Sequence, residues 1–394
     1  MKPLQDLRVL DLSRILSGPY CTMVLADFGA EVVKVEHPEG GDDTRSWVPP
    51  LVGDESAYFV SVNRNKRSLT VDLKTPEGKE VIYRLARWAD VVAENFRPGT
   101  AEKLGIGYDT LSDLNPRLIY CAISGFGQTG PYRDRPGYDA IGQAMGGLMS
   151  VTGYPDLPPV RFGVAIADLG AAMWSLVGIL VALQARRESG RGQYIDTSLF
   201  ESQLSWLTYI AGNYAATGKD PERQGSAHPN IVPYKAFETQ DGNIMIAVGN
   251  DSLWKKFTDA LEVPELGDSP EYRTNYDRLE RRSELLEKLS AIFKGRTTEE
   301  WLERLDAFGV LNSPIQTVAE VFADPHAKAR DMLVQLEHPT AGEITVTGIP
   351  VKLSETPGAV TVPPPTLGQH SEAVLLELGY SAAEVGELRD KKII

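Results

Sequence analysis

Cysteine is scarce: the 394 residues contain two, Cys21 and Cys121, both in apolar stretches. Two isolated thiols build no disulfide framework and are expected as buried groups in a reducing compartment. There is no CxxC pair, and the five histidines are scattered, so no metal site is expected. Positive charge is in deficit as well, with 40 Lys and Arg against 54 Asp and Glu, a net charge of −14. Phosphate-backbone binding needs a basic surface, which argues against a nucleic-acid partner. Long apolar runs are missing too. The longest, Leu169–Leu183, spans about 15 residues and contains Ser175. That is short for a membrane span and predicts a buried helix, with no membrane partner. The N-terminal stretch lacks the apolar core of a secretory signal, so the expected location is cytoplasmic.

What is present is an alternation of strand and helix patterns. Arg8–Ser13, Glu31–Glu36, Ser68–Leu73, Asp90–Glu94 and Arg117–Ile123 read as strands. Thr75-Pro76 opens a helix that runs to about Ala89, with Thr75 as cap and Pro76 in the first turn. Such alternation implies a parallel sheet covered on both faces. Asp168 is expected to open the most apolar helix. The Gly, Pro and polar residues of Ala215–Pro233 mark a domain boundary. Beyond it, Tyr234–Val248 predicts a hairpin turning at Asp241-Gly242, and Asn275–Phe293 and Thr298–Phe308 predict amphipathic helices.

Three groups of residues bear on chemistry. Gly125-Phe126-Gly127-Gln128-Thr129-Gly130 matches GxGxxG, but Pro131, Pro136 and Gly137 follow and leave no room for the helix a dinucleotide site requires. A glycine loop at a strand end is the better reading. The expected carboxyl ends of the strands carry Arg14, His37, Lys74 and Asn95-Phe96-Arg97, and Asn63–Arg67 adds three cations. Ligands of open parallel sheets bind at that edge, so the set points to a phosphorylated, nucleotide-like ligand. Asp168 stands alone among small and apolar residues. Its type and position fit a helix cap. They also allow a nucleophile held ionised by the helix dipole, though caps are the commoner role of such a residue.

Read together, VLDLSRILSGPYCTMVLADFGAEVVKVEHP, NKRSLTVDLKTPEGKE, ENFRPGT, NPRLIYCAISGFGQTGPY, GYDAIGQAMGG, ESGRGQYIDTSLFES and LGQHSEAVLLELGYS resemble the class III CoA-transferases of CaiB/BaiF type, which include formyl-CoA transferase. The resemblance runs along nearly the whole chain. It implies an α/β fold with a doubly wound, mostly parallel, Rossmann-like large domain and a smaller inserted α+β domain. The expected ranges are 1–213 for the first part of the large domain, 225–325 for the small domain and 326–394 for the returning segment. It also implies an interlocked homodimer.

The resemblance assigns the nucleophile to Asp168. It assigns coenzyme A contacts to Arg14, Ile15, Leu16, His37, Val71, Leu73, Lys74, Asn95, Phe96 and Tyr138. CoA and acyl-CoA enter as substrates, with no permanently bound cofactor. Position 37 departs from formyl-CoA transferase, which has arginine there. The polyglycine loop of that enzyme is replaced by Gln224–Asn230, which directs expectation to larger acids such as succinate and glutarate. Backbone amides near Leu169 and Gly170 are expected to receive the oxyanion. The same fold includes α-methylacyl-CoA racemases, whose catalytic histidine aligns with Tyr138. A tyrosine with an ordinary pKa near ~10 suits that proton transfer poorly. A CoA-binding protein without catalysis is the third reading.

Overall fold

A computed structural model describes residues 2–394. Contacts divide the chain into two units. The larger holds residues up to Met149, Arg161–Gly218 and Pro325–Ile394; the smaller holds Ser150–Val160 and Lys219–Asp324.

In the larger unit six strands form one parallel sheet: β1 Arg8–Asp11, β2 Glu31–Glu36, β3 Lys66–Thr70, β4 Val91–Glu94, β5 Ile119–Ser124 and β6 Tyr194–Ser198. Their spatial order is β3-β2-β1-β4-β5-β6. Alternate residues point to opposite faces of a strand, and both faces here are apolar. Val9, Val32, Val91, Ile119 and Cys121 pack on one side with α1 (Ser17–Asp27) and with the helix Ile166–Ser189. Leu10, Val33, Val92 and Tyr120 pack on the other with α2 (Pro76–Trp88) and the helices Ser371–Glu377 and Ala382–Asp390. The α2 start is as its sequence dictates: Thr75 accepts the Gly78 amide at 3.0 Å and Pro76 follows. The C-terminal segment returns to the edge strand, where the His370 amide donates to Ser68 and Ser371 bonds Thr70.

Two helices differ from expectation. The apolar helix begins at Ile166, two residues before Asp168; with α3 (Asp139–Met145) it is α4. It is not buried all round. Met173, Trp174, Val177, Leu180 and Val181 lie on its outward face, 42% to 62% exposed. Each turn of α4 therefore carries apolar residues on two faces, and the sheet can cover only one.

The smaller unit is built on an antiparallel sheet of β7 (Tyr234–Glu238), β8 (Asn243–Ala247) and β9 (Leu311–Pro314), with β8 in the middle. Thr239–Gly242 makes the hairpin turn. Trp254, Phe257, Phe293 and Trp301 fill the core beneath. The expected helix Asn275–Phe293 is two, Asn275–Glu280 and Arg282–Phe293, broken at Arg281. The buried Arg278 guanidinium binds the Val232 and Tyr272 carbonyls and Asp251, which fixes the first piece separately.

Candidate active site

The strand order reverses direction between β1 and β4, the place where open parallel sheets bind ligands. In the loop leaving β1 there, side chains hold five main-chain groups of Ser13, Arg14 and Ile15. Asp11 accepts the Ser13 amide at 3.0 Å and Lys34 donates to the Ser13 carbonyl at 2.7 Å. Asn95, just after β4, accepts the Arg14 amide at 2.9 Å and donates to the Arg14 carbonyl at 2.6 Å. Asp42 accepts the Ile15 amide at 3.2 Å. Ile15 has a φ of 71°, a conformation that β-branched residues rarely enter. The surrounding bonds over-determine that strain.

The holders are themselves fixed. Lys34 pairs with Asp42 at 2.8 Å and Lys66 with Asp11 at 3.0 Å, all four side chains being fully buried. Burial opposes the charge on Asp42, but Lys34 and the Thr44 hydrogen bonds hold its pKa down at about 2.

Two cavities flank this loop and share Arg14 and Phe96 in their walls. One, of about 290 Å³, is lined also by His37, Val71, Leu73 and Lys74. The other, of about 130 Å³, is lined also by Ile15, Asn95, Tyr138 and Asp168. Leu16 alone among the expected contacts lines neither; it is buried at the start of α1. The glycine loop after β5 enters no helix. Gly125 and Gly137 lie backbone against backbone: a Cβ on Gly137 would stand 2.4 Å from the Gly125 Cα. Any side chain at either position would displace this wall of the smaller cavity.

Asp168 is in the first turn of α4 but does not cap it. The Ala165 position precedes the helix without a side-chain cap, and the Ala167 amide goes instead to Asp139 at 2.8 Å. Nor is Asp168 held ionised by its helix. Burial, and then the Asp139 charge, push its pKa up to about 7, with the Ser17 hydroxyl offsetting part of the rise. The dipole of a helix start is a smaller effect than these. The expected oxyanion amides are not available either. The Leu169 amide is spent on the Ala165 carbonyl at 3.0 Å, and Gly170 lies inside the helix.

The three cations of Asn63–Arg67 also leave the ligand edge. β3 begins at Lys66, so these residues sit at the amino end of the strand. Arg64 pairs with Asp27, Lys66 with Asp11, and Arg67 with Glu31 and Glu377. At the carboxyl edge Arg14 pairs with Asp43 at 3.1 Å, while Lys74 and Arg97 carry no ion pair among the described residues.

Four site residues had no signal in the sequence pattern: Ser17, Asp42, Tyr58 and Asp139. Burial, then the charges of Asp168, Asp139 and Asp42, push the Tyr58 phenol up to about 12, which puts it in electrostatic reach of all three carboxylates. At the end of β4 Glu94 accepts the Phe96 amide at 2.6 Å. Burial, despite that bond, pushes its pKa up to about 8, so it is a neutral acid at pH 7.

A parallel α/β sheet with a polar cleft at its switch point and the Asp168 carboxylate in that cleft is the frame of an enzyme acting on a nucleotide-bearing substrate. Residues 4–371 match CoA-transferase family III, and the chain belongs to that family of CoA-transferases. It is 43% identical over 395 residues to succinyl-CoA:glutarate CoA-transferase of Homo sapiens, covering 100% of this chain and 90% of the relative. It is 43% identical to succinate–glutarate CoA-transferase of Agrobacterium fabrum, covering 95% and 96% of the two. A crystal structure of a CaiB/BaiF family protein from Brucella suis superposes with a TM-score of 0.85 at 43% identity, covering 96% of this chain and 99% of that one.

Proposed function

We propose that this enzyme moves CoA from an acyl-CoA donor to a carboxylic acid through an aspartyl-CoA thioester on Asp168, the acids being dicarboxylates of the succinate and glutarate type. One observation carries the reading. Asp168 lines a cavity that shares Arg14 and Phe96 with a second, charged cavity at the switch point. A ligand anchored by its nucleotide end in the second would present its thioester to the carboxylate in the first. The names of the human and Agrobacterium relatives support dicarboxylates as the acids.

In the forward half-reaction an Asp168 carboxylate oxygen bonds the thioester carbon and the C–S bond breaks. The sulfur leaves as thiolate with its electron pair, and a mixed anhydride remains. The thiolate, kept nearby by its nucleotide anchor, attacks the Asp168 side of the anhydride. The C–O bond breaks and the donor acid departs as carboxylate. The acceptor carboxylate then runs the same two steps in reverse. A pKa of about 7 leaves a substantial ionised fraction at neutral pH and a basicity suited to attack. The Ser17 hydroxyl, against Asp168, orients the attacking carboxylate.

In the same reading residues 1–213 and 326–394 hold CoA, and residues 225–325 form the smaller domain. The active form is a homodimer, supported by the outward apolar face of α4. The buried free thiols Cys21 and Cys121 suit a reducing compartment such as the cytosol.

The test is intact-protein mass spectrometry after mixing with succinyl-CoA or glutaryl-CoA, followed by peptide mapping. A CoA-sized adduct on Asp168, absent in Asp168→Asn, is expected. No adduct with either donor, together with α-proton exchange into a branched acyl-CoA, would overturn the reading in favour of a racemase.

A further inference from the structure

The six-stranded sheet has a second edge, where its strands begin, and the chemistry above leaves it unused. A cavity of about 500 Å³ opens there, larger than either cavity at the carboxyl edge. Its wall is set by the starts of four adjacent strands, β2, β1, β4 and β5. Glu31 opens β2, Arg8 opens β1, Asp90 directly precedes β4, and Arg117 stands two residues before β5. Arg87 and Trp88, from the end of α2, and Arg186, from the last turn of α4, complete the wall. Four guanidiniums from four separate stretches of chain therefore surround one opening, in a protein whose net charge is −14.

The acids of the wall do not balance them. Asp90 is committed to Arg186 at 2.9 Å, and its other oxygen accepts the Arg8 amide at 3.0 Å. Glu31 is committed to Arg67, outside the wall, at 2.7 Å. Asp6 has no ion pair among the described residues, and neither have Arg8, Arg87 and Arg117. Three uncommitted guanidiniums thus face one uncommitted carboxylate, an excess of two positive charges. The dipole of a helix favours cations at its end, which accounts for Arg87 and Arg186. It does not account for Arg8, at a strand start, whose guanidinium lies 5.6 Å from the Trp88 ring centroid and makes no hydrogen bond among the described residues. Arg117 gives one N–H to the Gly190 carbonyl at 3.0 Å and keeps the rest of its donors. Like charges gathered around one opening repel, and an entering anion relieves the repulsion. A phosphate monoester carries roughly two negative charges at pH 7, which matches the excess. Its oxygens also accept the paired N–H donors of a guanidinium.

We propose that this amino-edge cavity binds a phosphate group, as the free ion or as the ester of a small metabolite, through Arg8, Arg87 and Arg117. The site lies at the opposite end of the strands from Asp168, so its ligand fills neither cavity beside the Arg14 loop. It stands whether or not the transferase reading does.

The experiment is calorimetric titration of the full-length protein with inorganic phosphate and with glycerol phosphate. Binding is expected, and the tighter of the two probes identifies the source as free ion or ester. Arg8→Gln combined with Arg87→Gln is expected to weaken it at least about tenfold. Neither side chain has an ion pair to lose, so the melting temperature without phosphate should change little. Asp6→Asn removes the opposing charge and is expected to tighten binding about threefold. No binding of either probe overturns the proposal, as does binding that survives in Arg8→Gln with Arg87→Gln. Binding lost instead in Lys74→Gln with Arg97→Gln would assign the phosphate to the carboxyl edge and also overturn it. Glutarate bound at the amino edge as tightly as either phosphate probe would overturn the choice of ligand.

Discussion

Asp139 caps the helix that carries Asp168 and raises the pKa of the residue it positions. One Asp139 oxygen accepts the Ala167 amide at 2.8 Å and the other accepts from Gln143 at 2.7 Å. Its charge is the second cause, after burial, of the Asp168 pKa of about 7. On the proposed mechanism Asp168 must be ionised to attack. The acid limb of kcat/KM for acyl-CoA should therefore rise with pH through about 7. Asp139→Asn keeps an oxygen for the Ala167 amide and removes the charge, so that limb should move down by about one pH unit. A limb that stays in place would mean burial alone sets it. Because the folded pKa lies above 3.8, Asp168 contributes stability present below that pH and lost as pH rises through about 7. Asp168→Asn should accordingly melt higher than wild type at pH 8.

Asn95 is expected to be a stability and affinity residue together. Asn95→Ala frees both main-chain groups of Arg14, next to the strained Ile15. The expected loss is about 1–3 kcal/mol of stability, with KM for acyl-CoA raised about tenfold as the loop between the cavities loosens. Denaturant titration and initial-rate kinetics check the two parts.

Glu94 predicts a second pH dependence, in the alkaline range. Its folded pKa of about 8 is above the ordinary 4.5, so it contributes stability present below pH 4.5 and lost as pH rises through about 8. Between pH 6.5 and 9 this amounts to about 2 kcal/mol. Glu94→Gln still accepts the Phe96 amide through its carbonyl oxygen. It should flatten the fall in melting temperature over that interval. An unchanged slope would assign the alkaline loss to other groups.

The outward face of α4 predicts the assembly. Trp174, Val177 and Val181 are 44% to 62% exposed on a single chain, more apolar surface than one helix of a monomer leaves to water. Light scattering should give the mass of a dimer. Val177→Asp with Val181→Asp should halve it or yield insoluble protein, without changing the core side of the helix. A monomeric wild type would remove the homodimer from the proposed function.

Local chemistry was enough to read part of this protein from its sequence. Thr75-Pro76 starts α2 because cap and first-turn geometry are contained in a few adjacent residues. The turn at Asp241-Gly242 and the absence of a helix after Gly125–Gly130 are local in the same way. The alternation of strands and helices declared a parallel sheet, and motifs in order along the chain declared the family. Only the tertiary structure decided the electrostatics. Arg64, Lys66 and Arg67 read as ligand-binding cations, yet each meets a carboxylate from a distant segment: Asp27, Asp11, and Glu31 with Glu377. Asp168 read as an ionised helix-start carboxylate, yet burial and Asp139, from another helix, bring it to about 7. Charge state depends on what surrounds a group in three dimensions, and on how much water is excluded from it. Neither quantity is a property of neighbours along the chain.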